Sequence, residues 1–444
     1  MNNTVGLVSL GCSKNEIDAQ LLLGALREAG YEISPDPGKC GVVIINTCAF
    51  IESAKQEAIE TILEFAQLKA AGVVGALLIT GCMAERYKGE LAAELPEVDG
   101  ALGLGRNGEI AQAVAALLAG QTYFAFGEKE ALPFEGSRLL TGPSYSVYIK
   151  VAEGCDNRCS FCAIPDIRGR FRSRPKEKII AEARSLVEAG AVEVNLVAQD
   201  TTRYGEDIYG RLALPELLRD LCEIEGLRWL RLLYCYPDRV SDQLLETMAA
   251  QPKIVNYIDL PIQHASGRVL KEMNRRGDAA SLLELIERIR RKVPGVALRT
   301  TIIAGFPGET EEEFAELCEF VQAARFERLG CFAYSQEEGT PAGERPDQHD
   351  QETKHRRADI IMETQAGIAL EIAEGMVGRT LEVLCEGYDK DRQAYFGRAW
   401  ADAPDIDTKV YFTASAPPAT GSLLNVEITG AQGYDLAGKL SADN

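Results

Sequence analysis

The sequence predicts an α/β protein in three parts: an N-terminal open parallel α/β domain, a central partial (β/α)6 barrel and a small C-terminal all-β barrel. Apolar strands alternate with helical runs over residues 1–120 and again from residue 145 onward, and this alternation is typical of parallel sheets. A helix is expected over Gln351–Glu374. Beyond residue 376 four short strands follow one another without helices, as in a small barrel: Thr380–Cys385, Ala394–Trp400, Thr408–Phe412 and Leu423–Ile428. We therefore assign domains at 1–120, 145–375 and 376–444, with a linker over 121–144 that contains proline and glycine.

The composition limits the possible classes of protein. The chain has 444 residues, 46% of them hydrophobic, but no apolar run long enough to span a membrane. Its first residues do not resemble a signal peptide, so we expect a cytoplasmic protein whose twelve cysteines are reduced thiols or metal ligands. The net charge of −20 disfavours binding to bare nucleic acid and favours a basic partner.

Three cysteines of the first domain occupy equivalent places. Cys12, Cys48 and Cys82 each end an apolar run that reads as a strand. Because the carboxyl ends of parallel strands share one edge of a sheet, we expect these thiols to converge and hold an iron–sulfur cluster. The alternative is that a small residue was needed at each strand end and cysteine was tolerated. The helix after Cys48 should begin with a capping box of Ser53 and Gln56.

A second group of cysteines lies in one short stretch. Cys155, Cys159 and Cys162 have three and then two residues between them, with aromatic Phe161 before the last. A closed zinc site needs four ligands, whereas three thiolates suit a [4Fe–4S] cluster with one iron left open. A partial zinc site and three buried thiols are the alternatives.

The central strands predict a partial TIM barrel, whose chemistry lies at the carboxyl ends of the strands. The cysteine stretch follows the first strand. Gln199 and Asp200 end the second strand, and Gln263 and His264 follow the fourth. His264 is either a structural residue with satisfied hydrogen bonds or a participant in the site.

The fifth strand ends with Ile303 and Gly305, where a glycine would let a ligand approach the backbone. It leads into a helix that should be capped by Thr310 with Glu313.

Basic residues alternate at period two directly after the cysteine stretch. In an extended segment they would share one side, which would be either a solvated edge or a strip that binds an acidic group of a ligand or substrate. They are Arg168, Arg170, Arg172, Arg174, Lys176 and Lys178.

The stretch from Cys155 to Cys162 resembles the CxxxCxΦC motif of the radical S-adenosylmethionine (SAM) enzymes. With the N-terminal cysteine triad and the small C-terminal barrel, nearly the whole chain resembles the methylthiotransferases, whose C-terminal barrel is a TRAM domain. The resemblance implies two [4Fe–4S] clusters, one on each cysteine group, and SAM at the second cluster. We expect SAM contacts from Phe161, Gln199, Asp200, Gln263, His264, Ile303 and Gly305.

Two branches of that family differ in substrate. The run from Asn195 to Gly205 resembles the RimO-type branch, which modifies the β-carbon of an aspartate in ribosomal protein S-twelve. The MiaB-type branch, which modifies isopentenyladenosine in transfer RNA, has Gly-Gln-Asn in place of Ala198-Gln199-Asp200. From Met376 onward ten acidic residues outnumber six basic ones, a net charge of −4, and this suits a basic ribosomal protein.

The implied chemistry uses two SAM molecules: one donates a methyl group, and the other is cleaved with an electron from an external donor to remove hydrogen from an unactivated C–H bond. Because cofactors supply this chemistry, no side chain is expected to act as general acid or base. Three alternatives are a transfer-RNA methylthiotransferase, a non-catalytic iron–sulfur or RNA-binding protein, and a radical SAM enzyme whose N-terminal cluster only relays electrons.

Overall fold

The computed structural model describes residues 3–129 and 135–441. It confirms the predicted class, with two parallel six-stranded sheets and a closed five-stranded barrel.

The first sheet has the strand order β2-β1-β3-β4-β5-β6, with all neighbouring strands parallel. Its central strands β3 and β4 are buried along their whole length because helices cover both faces of the sheet. The elements are β1 (Thr4–Ser9), α1 (Ser13–Glu28), β2 (Glu32–Ile33), β3 (Val42–Thr47), α2 (Glu52–Ala70), β4 (Ala76–Gly81), α3 (Cys82–Arg86), α4 (Leu91–Glu94), β5 (Gly100–Leu102), α5 (Ile110–Leu118) and β6 (Tyr123–Ala125), with 3₁₀ turns at Pro37–Lys39 and Leu104–Glu109.

Two local expectations are modified in this domain. The capping box at Ser53 is wrong, because α2 already begins at Glu52 after an Ile51 that gives no side-chain cap. Strand β6 lies inside the predicted linker 121–144, and residues 130–134 of that linker lie outside the described residues. The domain ranges themselves stay a prediction.

The second sheet is an open barrel of parallel strands in the order β14-β13-β12-β11-β10-β7. Its helices pack on the outer face and enclose the largest apolar cluster. Thr310 and Glu313 form the predicted capping box of α13. The elements are β7 (Ser146–Lys150), β8 (Ala152–Glu153), α6 (Ile164–Arg168), β9 (Arg172–Ser173), α7 (Lys176–Glu188), β10 (Glu193–Val197), α8 (Glu206–Tyr209), α9 (Leu214–Cys222), β11 (Trp229–Leu232), α10 (Asp242–Ala250), β12 (Ile254–Asp259), α11 (Gly267–Glu272), α12 (Ala279–Lys292), β13 (Ala297–Ala304), α13 (Glu311–Ala324), β14 (Arg328–Ala333) and α14 (Gln351–Glu374), with 3₁₀ turns at Thr201–Arg203 and Pro237–Arg239.

The C-terminal part is a closed barrel in the order β15-β16-β17-β19-β18. Four of its strands were expected, and the fifth, β19, was not. Only Leu436 of β19 is buried, so the strand has no regular alternation of buried and exposed residues. The strands are β15 (Thr380–Asp389), β16 (Ala394–Ala399), β17 (Val410–Thr413), β18 (Leu423–Gln432) and β19 (Asp435–Leu440).

The inner face of the open barrel is covered by the N-terminal domain and by the C-terminal barrel. Ile17 of α1 packs there from the N-terminal domain, and Ala403, from the segment between β16 and β17, packs there from the C-terminal barrel. The backbone carbonyl of Trp400 accepts a hydrogen bond from Arg231 Nη1 at 2.8 Å, and Asp407 accepts one from Tyr257 Oη at 2.7 Å. The three parts of the chain therefore share one interior.

Candidate active site

The first cysteine group lies at one edge of the N-terminal sheet. Strands β1, β3 and β4 are neighbours; Cys12 caps α1 just beyond β1, Cys48 follows β3 directly, and Cys82 is the first residue of α3 after β4. Gly11 has φ +91°, and a Cβ on it would lie 2.7 Å from Cys48 Cβ. The glycine therefore brings the loop that carries Cys12 against Cys48. Asn15, three residues after Cys12, has its Oδ1 3.7 Å from Cys82 Sγ, so the three strand ends meet at one edge as predicted.

The protonation of these thiols depends on their surroundings. Burial raises the pKa of Cys82 to about 12 and also raises the pKa of Cys48. Burial acts in the same direction on Cys12, but the charges of Lys14 and Arg168 and the first backbone N–H groups of α1 outweigh it and lower the pKa of that thiol. Since only thiolates bind iron, loading this group releases protons.

The second group lies in a loop held at the mouth of the open barrel. The two-stranded ribbon of β8 and β9 closes this loop, and the backbone N–H of Cys155 donates to the Gly169 carbonyl at 3.1 Å. Gly154 has φ +76°, and a Cβ there would collide with the carbonyl of Arg170. Burial raises the pKa of Cys155 to about 11 and that of Cys162 further.

Each group fits a [4Fe–4S] cluster in its donor chemistry. Each offers three cysteine sulfurs, and a polar side chain faces one sulfur in each group. Arg275 Nη1 lies 3.7 Å from Cys159 Sγ, and Asn15 Oδ1, which accepts a hydrogen bond from Arg168, lies 3.7 Å from Cys82 Sγ. Hydrogen bonds to the sulfurs are one of the means by which proteins tune such clusters. Across residues 3–129 and 135–441, no three His, Cys, Asp or Glu side chains meet closely enough to hold a single metal ion; in a cluster each thiolate binds its own iron instead.

A buried ionic network connects the two cysteine groups. Arg168 donates to both carboxylate oxygens of Glu153 (2.9 and 3.0 Å) and to Asp18 of α1 (3.2 Å). Lys150 Nζ contacts Asp18 at 2.5 Å and Glu153 at 2.6 Å. Burial would raise the pKa of Glu153, but the charges of Arg168 and Lys150 hold it far below its usual range. Glu153 and Asp18 thus each contact the same two cations.

The predicted basic strip does not exist, because its members belong to different elements. Arg168 ends α6 and is buried, whereas Arg170 is exposed. Arg174 pairs with Glu182 at 2.7 Å. Arg172 lies in β9, and Lys176 and Lys178 lie in α7, where they pair with Asp220 and Glu135. Residues two apart share one side only in a continuous strand, so these six basic side chains do not form a common surface.

Several side chains expected to contact SAM are engaged within the protein. Asp200 is 1% exposed and accepts hydrogen bonds from Asn157, Thr202 and Arg239. His264 is fully buried; its Nδ1 accepts from the Ser266 N–H, and its Nε2 lies 3.4 Å from Glu309. Both side chains thus have partners within the protein, and their contacts with SAM stay a prediction.

The other expected contacts lie at the same edge of the barrel. Gln199 donates to Glu153 at 3.0 Å. Gln263 has φ +74° and bridges to β13 beside Ile303. A Cβ on Gly305 would meet the Lys354 side chain at 2.7 Å. Phe161 packs half-buried against the barrel core. Their contacts with SAM stay a prediction.

Lys14 and the Arg168 network were not predicted. Lys14 stands two residues after Cys12, and this proximity was the only available signal. The partners of Arg168 lie as far as 153 positions away in sequence, and no local pattern indicates such a contact.

Three family models match the chain. The radical SAM superfamily matches residues 149–321, the uncharacterized protein family UPF0004 matches residues 4–103, and the TRAM domain matches residues 377–440. Solved structures of the radical SAM methyltransferase TsrM from Kitasatospora setae have the same fold: one, with cobalamin and a [4Fe–4S] cluster bound, has a TM-score of 0.55 at 15% identity and covers 86% of this chain and 81% of its own.

Curated relatives are similar over nearly their full length, and each is named ribosomal protein uS12 methylthiotransferase RimO. The relative from Desulforamulus reducens is 47% identical and that from Pelotomaculum thermopropionicum 48%, each over 99% of both chains. The relative from Geobacter sulfurreducens is 46% identical over 98% of both.

The fold, the two cysteine groups and these matches define a radical SAM methylthiotransferase, an enzyme class that uses SAM and [4Fe–4S] clusters. Within that class, the chain belongs to the RimO family. No helix among the described residues has the length and apolar character needed to cross a membrane.

Proposed function

We propose that the protein attaches a methylthio group to the β-carbon of an aspartate in ribosomal protein uS12. Cys12, Cys48 and Cys82 hold one cluster, and Cys155, Cys159 and Cys162 hold the cluster that binds SAM. When bound, these cofactors supply the reductive cleavage of SAM and the methyl group. The protein orients the substrate and excludes water.

The observation that carries the proposal is the connection between the two cysteine groups. Arg168 follows the loop of the second group and donates to Asn15 Oδ1, which lies 3.7 Å from Cys82 Sγ of the first. This link supports a common reaction site for the two groups, which the reaction needs if hydrogen removal and sulfur insertion occur at the same carbon. The shared name of the relatives supports uS12 as the substrate.

The charge of the protein supports a basic protein substrate. The chain carries 67 acidic and 47 basic residues, and such an excess of negative charge attracts ribosomal proteins and repels a bare phosphate backbone. The ranges 1–120, 145–375 and 376–444 are proposed as the cluster-binding, catalytic and TRAM domains, and an external electron donor is proposed as the reductant.

One surface favours the transfer-RNA alternative. On the C-terminal barrel, the Arg392 guanidinium lies 4.0 Å from the ring centroid of Tyr411, and Lys409 Nζ lies 4.5 Å from that of Phe396. Basic groups stacked on aromatic rings are typical of single-strand nucleic-acid surfaces. However, Arg392 also pairs with Asp435 at 3.6 Å, so part of this charge is neutralised within the protein.

The test uses anaerobically reconstituted protein with SAM and a reductant. Purified uS12 and isopentenylated transfer RNA are offered in separate tubes, and mass spectrometry looks for a gain of about 46 Da, the replacement of hydrogen by SCH₃. A gain on uS12 at an aspartate is expected. A gain on the RNA alone would reject the proposed substrate and leave the enzyme class unchanged.

A further inference from the structure

One buried cation beside the first cysteine group has no carboxylate partner among the described residues. Lys14 is 6% exposed, and its ammonium forms no ion pair or hydrogen bond with any residue that the structure describes; instead it lies 3.1 Å from the centroid of the Tyr234 ring. A cation–π contact offsets only part of the cost of removing an ammonium from water. The site therefore has unused capacity for an anion.

The neighbouring cations do not share this property. Arg168 and Lys150 are also buried near this edge, and both are paired with Asp18 and Glu153. Asp259 also lies nearby, but it already accepts hydrogen bonds from Arg299 and from the backbone N–H of Tyr234. Of these three cations, Lys14 is thus the one without a carboxylate partner among the described residues, and its charge acts instead on the neighbouring Cys12 thiol.

Tyr234 is held in an unusual conformation beneath this lysine. It has φ +60°, which is costly for an aromatic residue. Its N–H donates to Asp259 at 2.9 Å, and its carbonyl accepts from the Thr201 N–H at 3.0 Å. These bonds fix its place just after β11 at the mouth of the barrel, so that Lys14 is positioned where the two domains meet.

The position indicates which anion binds. Lys14 is close enough to Cys12 for its charge to act on that thiol, and its ammonium rests on a residue of the barrel mouth. The reacting carbon of the substrate must lie in this same region, between Cys12 and the mouth of the barrel, because it has to be reached from both cysteine groups. In an aspartate, the carboxylate is bonded directly to the β-carbon and must accompany it there.

We propose that Lys14 binds the side-chain carboxylate of the target aspartate and so selects aspartate over uncharged residues. This inference rests on the proposed function. SAM also carries a carboxylate group, and the experiment distinguishes binding of Lys14 to SAM from binding of Lys14 to the aspartate.

Binding is measured directly by fluorescence anisotropy of labelled uS12 and of its variant with asparagine at the target position. The reconstituted wild-type protein should bind the aspartate form about tenfold more tightly, the order of one hydrogen bond to a charged group. Lys14→Met should bind both forms equally and weakly, and Lys14→Arg should restore most of the preference. Lys39→Met, whose side chain is 79% exposed in the same domain, is the matched control and should behave as wild type.

Two further readouts distinguish the alternatives. Bound iron and the formation of 5′-deoxyadenosine without uS12 are measured for every variant, and binding is compared only between variants that carry equal iron. A loss of SAM cleavage with the aspartate preference intact would assign Lys14 to SAM and overturn the proposal, as would an unchanged preference alone. If Lys14→Met loses iron, Lys14→Gln takes its place in the same comparison. A wild-type enzyme that modifies no uS12 would reject the proposed function as well.

Discussion

Arg168 Nη2 donates a hydrogen bond to Asn15 Oδ1 at 2.6 Å, although the two residues lie in different domains. Asn15 itself donates to the carbonyl oxygens of Leu10 and Thr47, which lie at the ends of the strands that carry Cys12 and Cys48. The guanidinium beside the second cysteine loop is thereby fixed to the backbone that supports the first cysteine group.

Replacing Arg168 by methionine should destabilise the protein strongly. The change leaves Asp18 and Glu153 buried with Lys150 as their remaining cation, and breaking a buried pair costs about 3–5 kcal/mol. Thermal unfolding of the apoprotein measures the effect. Arg170→Met is the matched control, since that side chain is 75% exposed and 3.6 Å from Asp156; equal effects of both changes would contradict the buried role of Arg168.

Replacing Cys82 by alanine should abolish methylthiolation but spare SAM cleavage. The first group would keep only two thiols, whereas the loop from Cys155 to Cys162 is untouched. Iron content, 5′-deoxyadenosine and methylthiolated uS12 are measured together. Cys40→Ala, at a buried cysteine outside both groups, should retain all three. A parallel loss of SAM cleavage in the Cys82 variant would indicate that the first cluster relays electrons.

Replacing Gly154 by alanine should remove the second cluster selectively. The added Cβ would collide with the carbonyls of Gly169 and Arg170 at a residue with φ +76°, so the backbone before Cys155 would have to move. Electron paramagnetic resonance should then show only the cluster of the first group, with no SAM cleavage. Gly367→Ala, where a Cβ meets open space, is the control; retention of both clusters in Gly154→Ala would refute the prediction.

Stability should fall in acid because of Glu193. Burial would raise the pKa of this carboxyl, but Arg398 and Arg231 lower it from 4.5 to about 2. A depressed pKa stabilises the folded state above pH 4.5, and this contribution, roughly 3 kcal/mol, is lost as the pH falls towards 2. Urea unfolding at pH 3 and pH 6 measures it. Glu193→Gln should be less stable at pH 6 and show a smaller difference between the two conditions, whereas exposed Glu374→Gln should match the wild type.

Local patterns in the sequence predicted much of the fold. Apolar runs ending in Cys12, Cys48 and Cys82 revealed both the parallel sheet and the meeting of its cysteines, since the geometry of a parallel sheet determines which strand ends converge. Helix α14 was predicted with its observed bounds, Gln351–Glu374, because a long helix contains many turns of its repeat.

The remaining features depend on contacts between distant parts of the chain. The alternation of Arg168, Arg170 and Arg172 resembled a strand, but α6 ends at Arg168 and its side chain turns inward to carboxylates of another element. Ser53 matched a helix cap by residue type, yet the cap position is held by Ile51, two residues earlier. Such choices are decided by tertiary structure, for which local propensity is only a weak guide.

The contacts between the C-terminal barrel and the open barrel have a practical consequence for the design of shortened versions of this protein. A chain ending at Gly375 would lose Arg398, which contacts Glu193 at 2.6 Å, and the carbonyl that holds Arg231. Water would then enter the barrel from below and reach charged groups that the full chain keeps dry. The C-terminal barrel thus closes one end of the open barrel, and we expect versions without it to be less stable and less suitable for crystallisation or assay.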